Sequence, residues 1–247
     1  MLIKKLASAL AAVTLLALPL VALANEGSYP HAENDSRNIA SLQRGARNFM
    51  NYCSGCHSAK FVRYNRVATD LHIPEPELQK NLMFTSDKPF DTIKSAMLAD
   101  DARKWFGTVP PDMSLMARSR GTDYIYAYLR SFYRDPSRPT GANNTVLPGT
   151  AMPHVLADLQ GVQRAVYKAT EGEAGKGEFE KFELVDKGSL TPAQYDEFVR
   201  DTVNFLQYIG EPIENTRKDL GIWVLLFLLM FTSFAYMLYK EYWKDVH

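Results

Sequence analysis

The sequence predicts a mainly α-helical domain with long loops, followed by one C-terminal transmembrane helix. Apolar residues recur at helical spacing in several segments, Pro and Gly cluster between those segments, and a long uncharged apolar run lies near the C-terminus. The chain has 247 residues, of which 46% are hydrophobic, enough for one sizeable core and additional segments. No internal repeat is evident.

The N-terminus has the pattern of a secretory signal peptide. Two lysines form a short basic start, and an uncharged run rich in Ala, Leu and Val follows from residue 6 to residue 23. Ala22 and Ala24 place small residues at the two positions that a signal peptidase recognises, so we predict that residues 1–24 are removed. The alternative is an uncleaved anchor helix, because the run is long for a signal core. Either way, the chain from Asn25 onward is expected to be exported.

The first helix of the exported domain is predicted to run from about Leu42 to Cys53. Leu42, Ala46, Phe49 and Cys53 recur at three- and four-residue intervals, which places them on one helical face. Three prolines interrupt the next stretch, and residues 61–89 are therefore predicted to be mostly loop.

A second helix is predicted from Phe90 to about Lys104, because Gly107 and two prolines follow it. Asp112 is expected to cap a short helix over residues 113–117.

A third helix is predicted to begin near Thr122, with Ile125, Tyr128, Leu129 and Phe132 on one side. Prolines close it, and the segment that follows is rich in Pro, Gly, Asn and Thr. Residues 135–153 are therefore predicted to form a long surface loop. The runs 166–169 and 179–185 are expected to pair as a small hairpin.

The last soluble helix has the clearest start. Thr191 is the predicted cap, proline follows it at the first helical position, and Gln194 completes a capping box. One apolar face follows, made of Tyr195, Phe198, Val199, Thr202, Val203, Leu206 and Ile209. Gly210 and a proline end the helix, and residues 211–219 are predicted to be a linker.

The linker leads to the predicted transmembrane helix. Residues 220–239 contain no formal charge, and a bilayer core needs about 20 apolar residues in a helix. Aromatic residues flank the run, as at membrane interfaces, whereas a buried helix of a soluble protein would show a polar stripe. Basic residues are balanced across the two flanks, so the export signal sets the expected orientation. Residues 25–219 are then expected on the outer side of the membrane, and residues 240–247 form a cytoplasmic tail.

Residues 53–57 have the sequence Cys-Ser-Gly-Cys-His, the pattern of c-type haem attachment. At a helix end, residues i, i+3 and i+4 share a face. The thiols of Cys53 and Cys56 can therefore reach the two vinyl groups of one porphyrin, and His57 can offer a ring nitrogen to the iron from the same side.

Two other functions of paired cysteines fit less well. Redox Cys-x-x-Cys motifs normally open a helix after a strand, whereas this one ends a helix. A structural zinc site needs four ligands, and the chain has only two cysteines and no zinc-like histidine spacing.

A second axial iron ligand is expected in an electron carrier, and methionine is common in that position. The candidates in the exported domain are Met50, Met83, Met97, Met113, Met116 and Met152, besides His31, His72 and His154. Met152 is favoured because it lies in a Pro/Gly-rich loop, far along the chain from His57 and beside a stiffening proline. Met113, Met83 and His154 remain alternatives at this point.

Several further segments resemble the cytochrome c1 family of proteobacterial cytochrome bc1 complexes. They are Trp105-Phe106-Gly107, Pro110-Pro111-Asp112-Met113-Ser114, Ala117-Arg118-Ser119-Arg120, Tyr128 to Tyr133, Ala151-Met152-Pro153, and Gly210-Glu211-Pro212 before a single span. Their order beside the haem motif extends over nearly the whole chain after the signal peptide. Met113 departs from the family, in which leucine is more common, and packing explains that difference.

The resemblance implies a cytochrome c-like haem domain with one covalent haem c. It makes Cys53, Cys56, His57, Met152 and Arg120 the cofactor residues, together with Pro111. His57 and Met152 would ligate the iron, and Arg120 would pair with a haem propionate, since a buried charge needs a partner.

The implied function is electron transfer from a Rieske iron–sulfur protein to a soluble or anchored cytochrome c, beside cytochrome b in a lipid bilayer. The chain would not be an enzyme alone but a redox subunit of a quinol–cytochrome c reductase. Loss of the two signal-peptide lysines from a balance of 28 basic and 28 acidic side chains leaves −2, which argues against a nucleic-acid partner. The alternatives are a peroxidase-like haem enzyme with an open iron position and an independent anchored carrier.

Overall fold

The computed structural model describes residues 29–168, 177 and 179–245. The predicted signal peptide lies outside these residues, as does Ala169 at the end of one predicted hairpin strand. In the described part the helices are α1 Ile39–Tyr52, α2 Tyr64–Asp70, α3 Glu75–Asn81, α4 Ala99–Phe106, α5 Met116–Arg120, α6 Thr122–Arg130, α7 Ala157–Gln160, α8 Pro192–Gly210 and α9 Glu214–Tyr242. The prediction of a mainly helical domain with long loops and one C-terminal candidate membrane helix is confirmed.

Three small antiparallel sheets connect the helices in the described part. The strands are β1 Ala59–Arg63, β2 Thr92–Ile93, β3 Phe132–Arg134, β4 Ala142–Asn144, β5 Gly161–Tyr167 and β6 Phe179–Lys187. They pair as β1–β2, β3–β4 and β5–β6. The pair β5–β6 is the predicted hairpin, and it is longer at its base than predicted, reaching Gly161 opposite Lys187.

The domain is built on the crossing of α1 and α8. A Cβ atom on Gly45 would lie 2.0 Å from the carbonyl oxygen of Asp201, so glycine is what allows the two backbones to approach. Phe49 and Phe205 pack beside the crossing with ring centroids 5.8 Å apart. Because α1 ends in the cysteine motif, this contact fixes the motif against the last soluble helix.

A buried carboxylate reinforces the crossing. Asp201, 5% exposed, accepts hydrogen bonds from Ser41 Oγ at 2.6 Å and from Arg44 Nε at 2.5 Å. A second bond from Arg44 Nη2, at 2.9 Å, makes the pair two-pronged. This geometry supplies the partners that a buried charge requires.

The prediction of a mostly irregular segment 61–89 is wrong. The end of β1 and the helices α2 and α3 lie there, and α3 begins directly after Pro74. Proline is tolerated at the start of a helix, where its missing N–H would have no helical partner. Prolines in this segment therefore do not exclude a helix.

The predicted helix from Phe90 to Lys104 is also too long. Thr92 and Ile93 pair with β1, and only α4 is helical. The predicted short helix at 113–117 is displaced to α5, because the carboxylate of Asp112 accepts from Ser114 N–H in a turn instead of capping a helix.

The predicted linker 211–219 is mostly helical. α9 starts at Glu214. Its apolar part has a mean hydropathy of 2.1, and none of that part is buried against the domain. It is the one helix in the described residues long and apolar enough to cross a membrane.

The first turns of α9 and the residues just before them bond to the domain at several points, which we term the junction contacts. Arg118 pairs with Glu211 at 2.8 Å, Glu211 pairs with Arg217 at 2.5 Å, and Gln207 bonds to Glu214 at 3.0 Å. The N-terminal segment adds Ser36–Asn215 at 3.1 Å and Arg37–Asp219 at 2.6 Å. α9 therefore continues from the fold through a hydrogen-bonded joint.

Candidate functional site

The cysteine motif lies where α1 ends and the chain turns. Cys53 and Ser54 both donate their backbone N–H to the carbonyl of Phe49 at 2.9 Å. The hydroxyl of Ser54, which is buried, donates to the Met50 carbonyl at 2.7 Å. These bonds end the helix in a tight turn and place Cys56 and His57 beyond it, with Cys56 N–H and His57 N–H both donating to the Cys53 carbonyl.

The imidazole of His57 is fixed by a residue far along the chain. Its Nδ1 lies 2.8 Å from the carbonyl oxygen of Pro111. A carbonyl can only accept, so the contact requires the proton on Nδ1 and leaves the Nε2 lone pair free for a metal. This is the arrangement in which a second partner orients a ligating histidine.

Hydrogen bonds join the segment after His57 to the segment after Pro111. Met113 N–H donates to the Ser58 carbonyl at 2.7 Å, and Phe61 N–H donates to Ser114 Oγ at 3.1 Å. Asp112 accepts Lys60 N–H on one oxygen and Ser114 N–H on the other. Ser95, two residues after β2, donates its hydroxyl to the Gly55 carbonyl at 2.6 Å and holds the turn between the cysteines.

Replacing Asp112 by Ala should loosen this segment. Both backbone donors lose a charged acceptor, so we expect a loss of about 1–2 kcal/mol in the free energy of unfolding. Urea unfolding measures it, with Asp112→Asn expected to retain part of the stability through its remaining acceptor oxygen. Asp100→Ala is the control, since that exposed carboxylate makes only an i,i+3 pair with Arg103. Equal stability of the Asp100 and Asp112 variants would refute this role.

Burial sets the protonation of the three donor groups. It lowers the pKa of His57, an effect partly offset by the bond to Pro111 and by the Asp112 carboxylate. Burial raises the pKa of Cys53 to about 12 and also raises the pKa of Cys56. Near neutral pH the imidazole is therefore unprotonated at one nitrogen, as a metal ligand must be, and both sulfurs are thiols before a haem is attached.

The methionines differ in their surroundings. Met50 and Met83 are buried in the hydrophobic core, whereas Met113, Met116 and Met152 are partly buried and pack against it, as Cys53 does. Met97 lies between β2 and α4, so its assignment to a helix is wrong. Met152 is in a loop, as predicted, but that loop lies between β4 and α7, because β4 interrupts the predicted loop 135–153.

The loop around Met152 is held by side chains. Tyr128 OH lies 2.8 Å from Thr150 Oγ1, on the N-terminal side of Met152. On the C-terminal side, the ring of His154 stacks on Phe132 with centroids 5.0 Å apart and planes 2° apart. His154 thus has a packing role, which accounts for a histidine beside the favoured methionine.

Asn144 organises the same loop and was missed in the sequence analysis. It is fully buried, and its Nδ2 donates to the Tyr128 carbonyl at 2.8 Å. Its Oδ1 accepts the N–H groups of Val146 at 2.9 Å and Leu147 at 3.2 Å. Only its position within a Pro/Gly/Asn-rich loop hinted at such a role, since asparagine often substitutes for backbone partners in turns.

Arg120 and Pro111 differ in how they relate to the motif. Pro111 contacts it directly through the bond to His57. Arg120, at the end of α5, is exposed and lies over the ring of Tyr124, 5.6 Å from its centroid. Within the described residues no ion pair to Arg120 is formed.

The donor set fits a c-type haem. Neither cysteine is in a disulfide, and the Nδ1 bond of the adjacent histidine leaves Nε2 available. A partly buried methionine lies in a hydrogen-bonded loop of the same domain. In the part of the chain that the structure describes, no group of three or more His, Cys, Asp or Glu is placed to hold a metal ion.

Comparison with known proteins gives consistent matches. A family model described as the cytochrome C1 family matches residues 31–165 and 181–246. Cytochrome c1 of Allochromatium vinosum is 51% identical over 237 residues, 95% of this chain and 97% of that protein.

Two further matches have other names. A protein of Nitrosomonas europaea named ammonia monooxygenase gamma subunit is 44% identical over 213 residues, 86% of each chain. A chain in a solved structure titled "Hyperthermophilic respiratory Complex III" is matched over 100% of this chain and 99% of its own, with a TM-score of 0.44 and 18% identity.

Proposed function

The chain belongs to the cytochrome c1 family, and on that premise we propose that it transfers electrons from a Rieske iron–sulfur protein to a cytochrome c within a bc1 complex. Proteins of this family carry one covalently bound haem c. The contact between His57 Nδ1 and the Pro111 carbonyl is the observation that best supports the proposal, because it leaves Nε2 free to bind iron in the residue that follows the two cysteines.

Each donor has a distinct role in holding the haem. Cys53 and Cys56 would form the two thioethers, and His57 would bind the iron through Nε2, its ring held by the bond to Pro111. Met152 would supply a soft, neutral sulfur ligand to the iron, which would favour the ferrous state and raise the potential. Arg120, exposed and unpaired within the described residues, is available to a propionate. The bound haem supplies a one-electron carrier, and the chain orients it and shields it from water.

The anchor places the haem domain at a membrane. α9 spans the bacterial inner membrane once, one side of its apolar surface packs against cytochrome b, and the haem domain lies in the periplasm. This orientation rests on the N-terminal signal peptide and on the length and apolar composition of α9. Quinol oxidation itself belongs to the complex, and this chain is its redox subunit and no enzyme alone.

The name of the Nitrosomonas europaea relative suggests a second candidate function. That protein is named as a monooxygenase subunit and is 44% identical to this chain. In this alternative the same haem domain accompanies a membrane monooxygenase. The donor set of the site is compatible with an electron carrier in either complex, so the companions of the chain distinguish the two functions.

Purification in mild detergent from the native membrane, followed by a reduced-minus-oxidised spectrum, tests the proposal. We expect a c-type band together with b-type haem, an iron–sulfur protein and reduction by quinol. A c-type band with monooxygenase subunits would favour the second candidate, and a c-type band alone would indicate an independent anchored carrier. Haem that is released by denaturation would contradict covalent attachment through Cys53 and Cys56.

A further inference from the structure

We propose that Tyr128 and Phe132, neither of which is an iron ligand, are positioning residues that hold Met152 in place from both sides. We term Tyr128, Thr150, Phe132 and His154 the methionine clamp. The inference rests on the proposed role of Met152 as axial ligand, and it concerns what keeps that ligand bound.

The N-terminal half of the clamp is a hydrogen bond. Tyr128 OH and Thr150 Oγ1 are 2.8 Å apart, and Thr150 is 6% exposed. Thr150 N–H also donates to the Leu147 carbonyl at 3.2 Å. Thr150 is thus held through both its side chain and its backbone, two residues before Met152. Tyr128 is half-buried and Thr150 is buried, so removing the tyrosine hydroxyl leaves the buried threonine hydroxyl without this partner, which is costly.

The C-terminal half of the clamp is an aromatic stack. Phe132 is 1% exposed, and the ring of His154 lies parallel to it, two residues after Met152. Pro153 stands between them and restricts the backbone. The residues on both sides of the methionine are therefore fixed to the domain.

One short segment supplies both halves. Tyr128 lies in the last turn of α6 and Phe132 begins β3, so the two residues are four apart. Their rings pack edge to face with centroids 5.1 Å apart. Asn144 joins the loop to this segment, because its Nδ2 donates to the Tyr128 carbonyl. Any displacement of the loop must therefore break contacts with a buried, internally packed segment.

The function of the clamp follows from preorganisation. A ligand on a free loop exchanges readily with competing molecules, whereas a ligand held at both flanks returns to the same position. The clamp is thus expected to slow replacement of Met152 by an external ligand without altering covalent attachment of the haem.

The test is the rate at which imidazole displaces Met152 from the ferric haem of the full-length protein in detergent. The loss of the sulfur-to-iron absorption band reports displacement. Tyr128→Phe removes one hydroxyl and keeps the ring contacts, and Thr150→Val removes its partner. We expect displacement to be roughly 5- to 10-fold faster in each single variant. The double variant should be no faster than the singles, which would show that the two groups act as a pair.

Tyr126→Phe is the matched control. It removes a hydroxyl from the same helix, one that bonds Asp196 on α8 and not the methionine loop. We expect it to lower stability while leaving the displacement rate within about twofold of the parent. Equal rates for the Tyr126 and Tyr128 variants would overturn the clamp while leaving the ligand assignment intact. Absence of the sulfur-to-iron band in the parent protein would overturn both.

Discussion

Replacing Met152 by Leu is expected to keep the haem covalently attached and to lower its midpoint potential by roughly 100–300 mV, within the ~0.8 V that axial ligands span. Leucine matches methionine in volume, so the loop packs as before. Its side chain has no lone pair, however, and the soft ligand that favours Fe(II) is lost. A redox titration of the α-band measures the shift.

The other methionines of the domain provide the controls for this titration. Met113→Leu and Met83→Leu alter the two alternative methionines by the same chemistry, and Met83 is buried in the core. We expect both to keep the potential of the parent and the sulfur-to-iron band. An unchanged potential in the Met152 variant, or a fall in either control, would refute the assignment of Met152.

Replacing Gly45 by Ala is expected to destabilise the haem domain by about 2–4 kcal/mol. Intrinsic helix propensity alone would make the alanine variant more stable by ~1 kcal/mol, whereas the steric clash makes it less stable. The sign of the measured change therefore shows which of the two effects dominates. The added Cβ would lie 2.0 Å from the Asp201 carbonyl oxygen and 2.7 Å from Phe205 Cβ. Both neighbours belong to α8 and neither is a flexible side-chain end, so α1 must move outward.

Chemical unfolding of the detergent-solubilised protein, followed through the haem band, measures this loss. Gly221→Ala provides the comparison, because a Cβ at that helical glycine meets nothing within 4 Å. That variant should unfold like the parent. A Gly45 variant as stable as the parent would mean that the crossing of α1 and α8 can widen at little cost.

Features encoded by neighbouring residues were predictable from the sequence. The capping box of Thr191 and Gln194 is formed as predicted, with Gln194 N–H on the Thr191 hydroxyl. The cysteine motif likewise lies at a helix end, because α1 stops at Tyr52. In both cases the partners are three or four residues apart, and local geometry determines the outcome.

Features that depend on distant residues were not predictable. His57 and Pro111 are 54 residues apart, so no periodicity could reveal which carbonyl fixes the imidazole. Thr92 and Ile93 have helix-compatible neighbours, yet pairing with β1 makes them a strand. The role of Asn144 is visible only in the structure, where its side chain is completely buried. Most asparagines are exposed, so this burial could not be predicted from the sequence.

The junction contacts connect the first turns of α9 to the haem domain at several points. Glu211 is bonded on one side to Arg118 and on the other to Arg217, and Arg37 is bonded to Asp219 two residues further along. With α9 in a bilayer as proposed, we expect a tilt of that helix to be passed on to the haem domain. The domain would then keep a preferred height above the lipid surface, and the electron donor and acceptor would supply most of the movement during transfer.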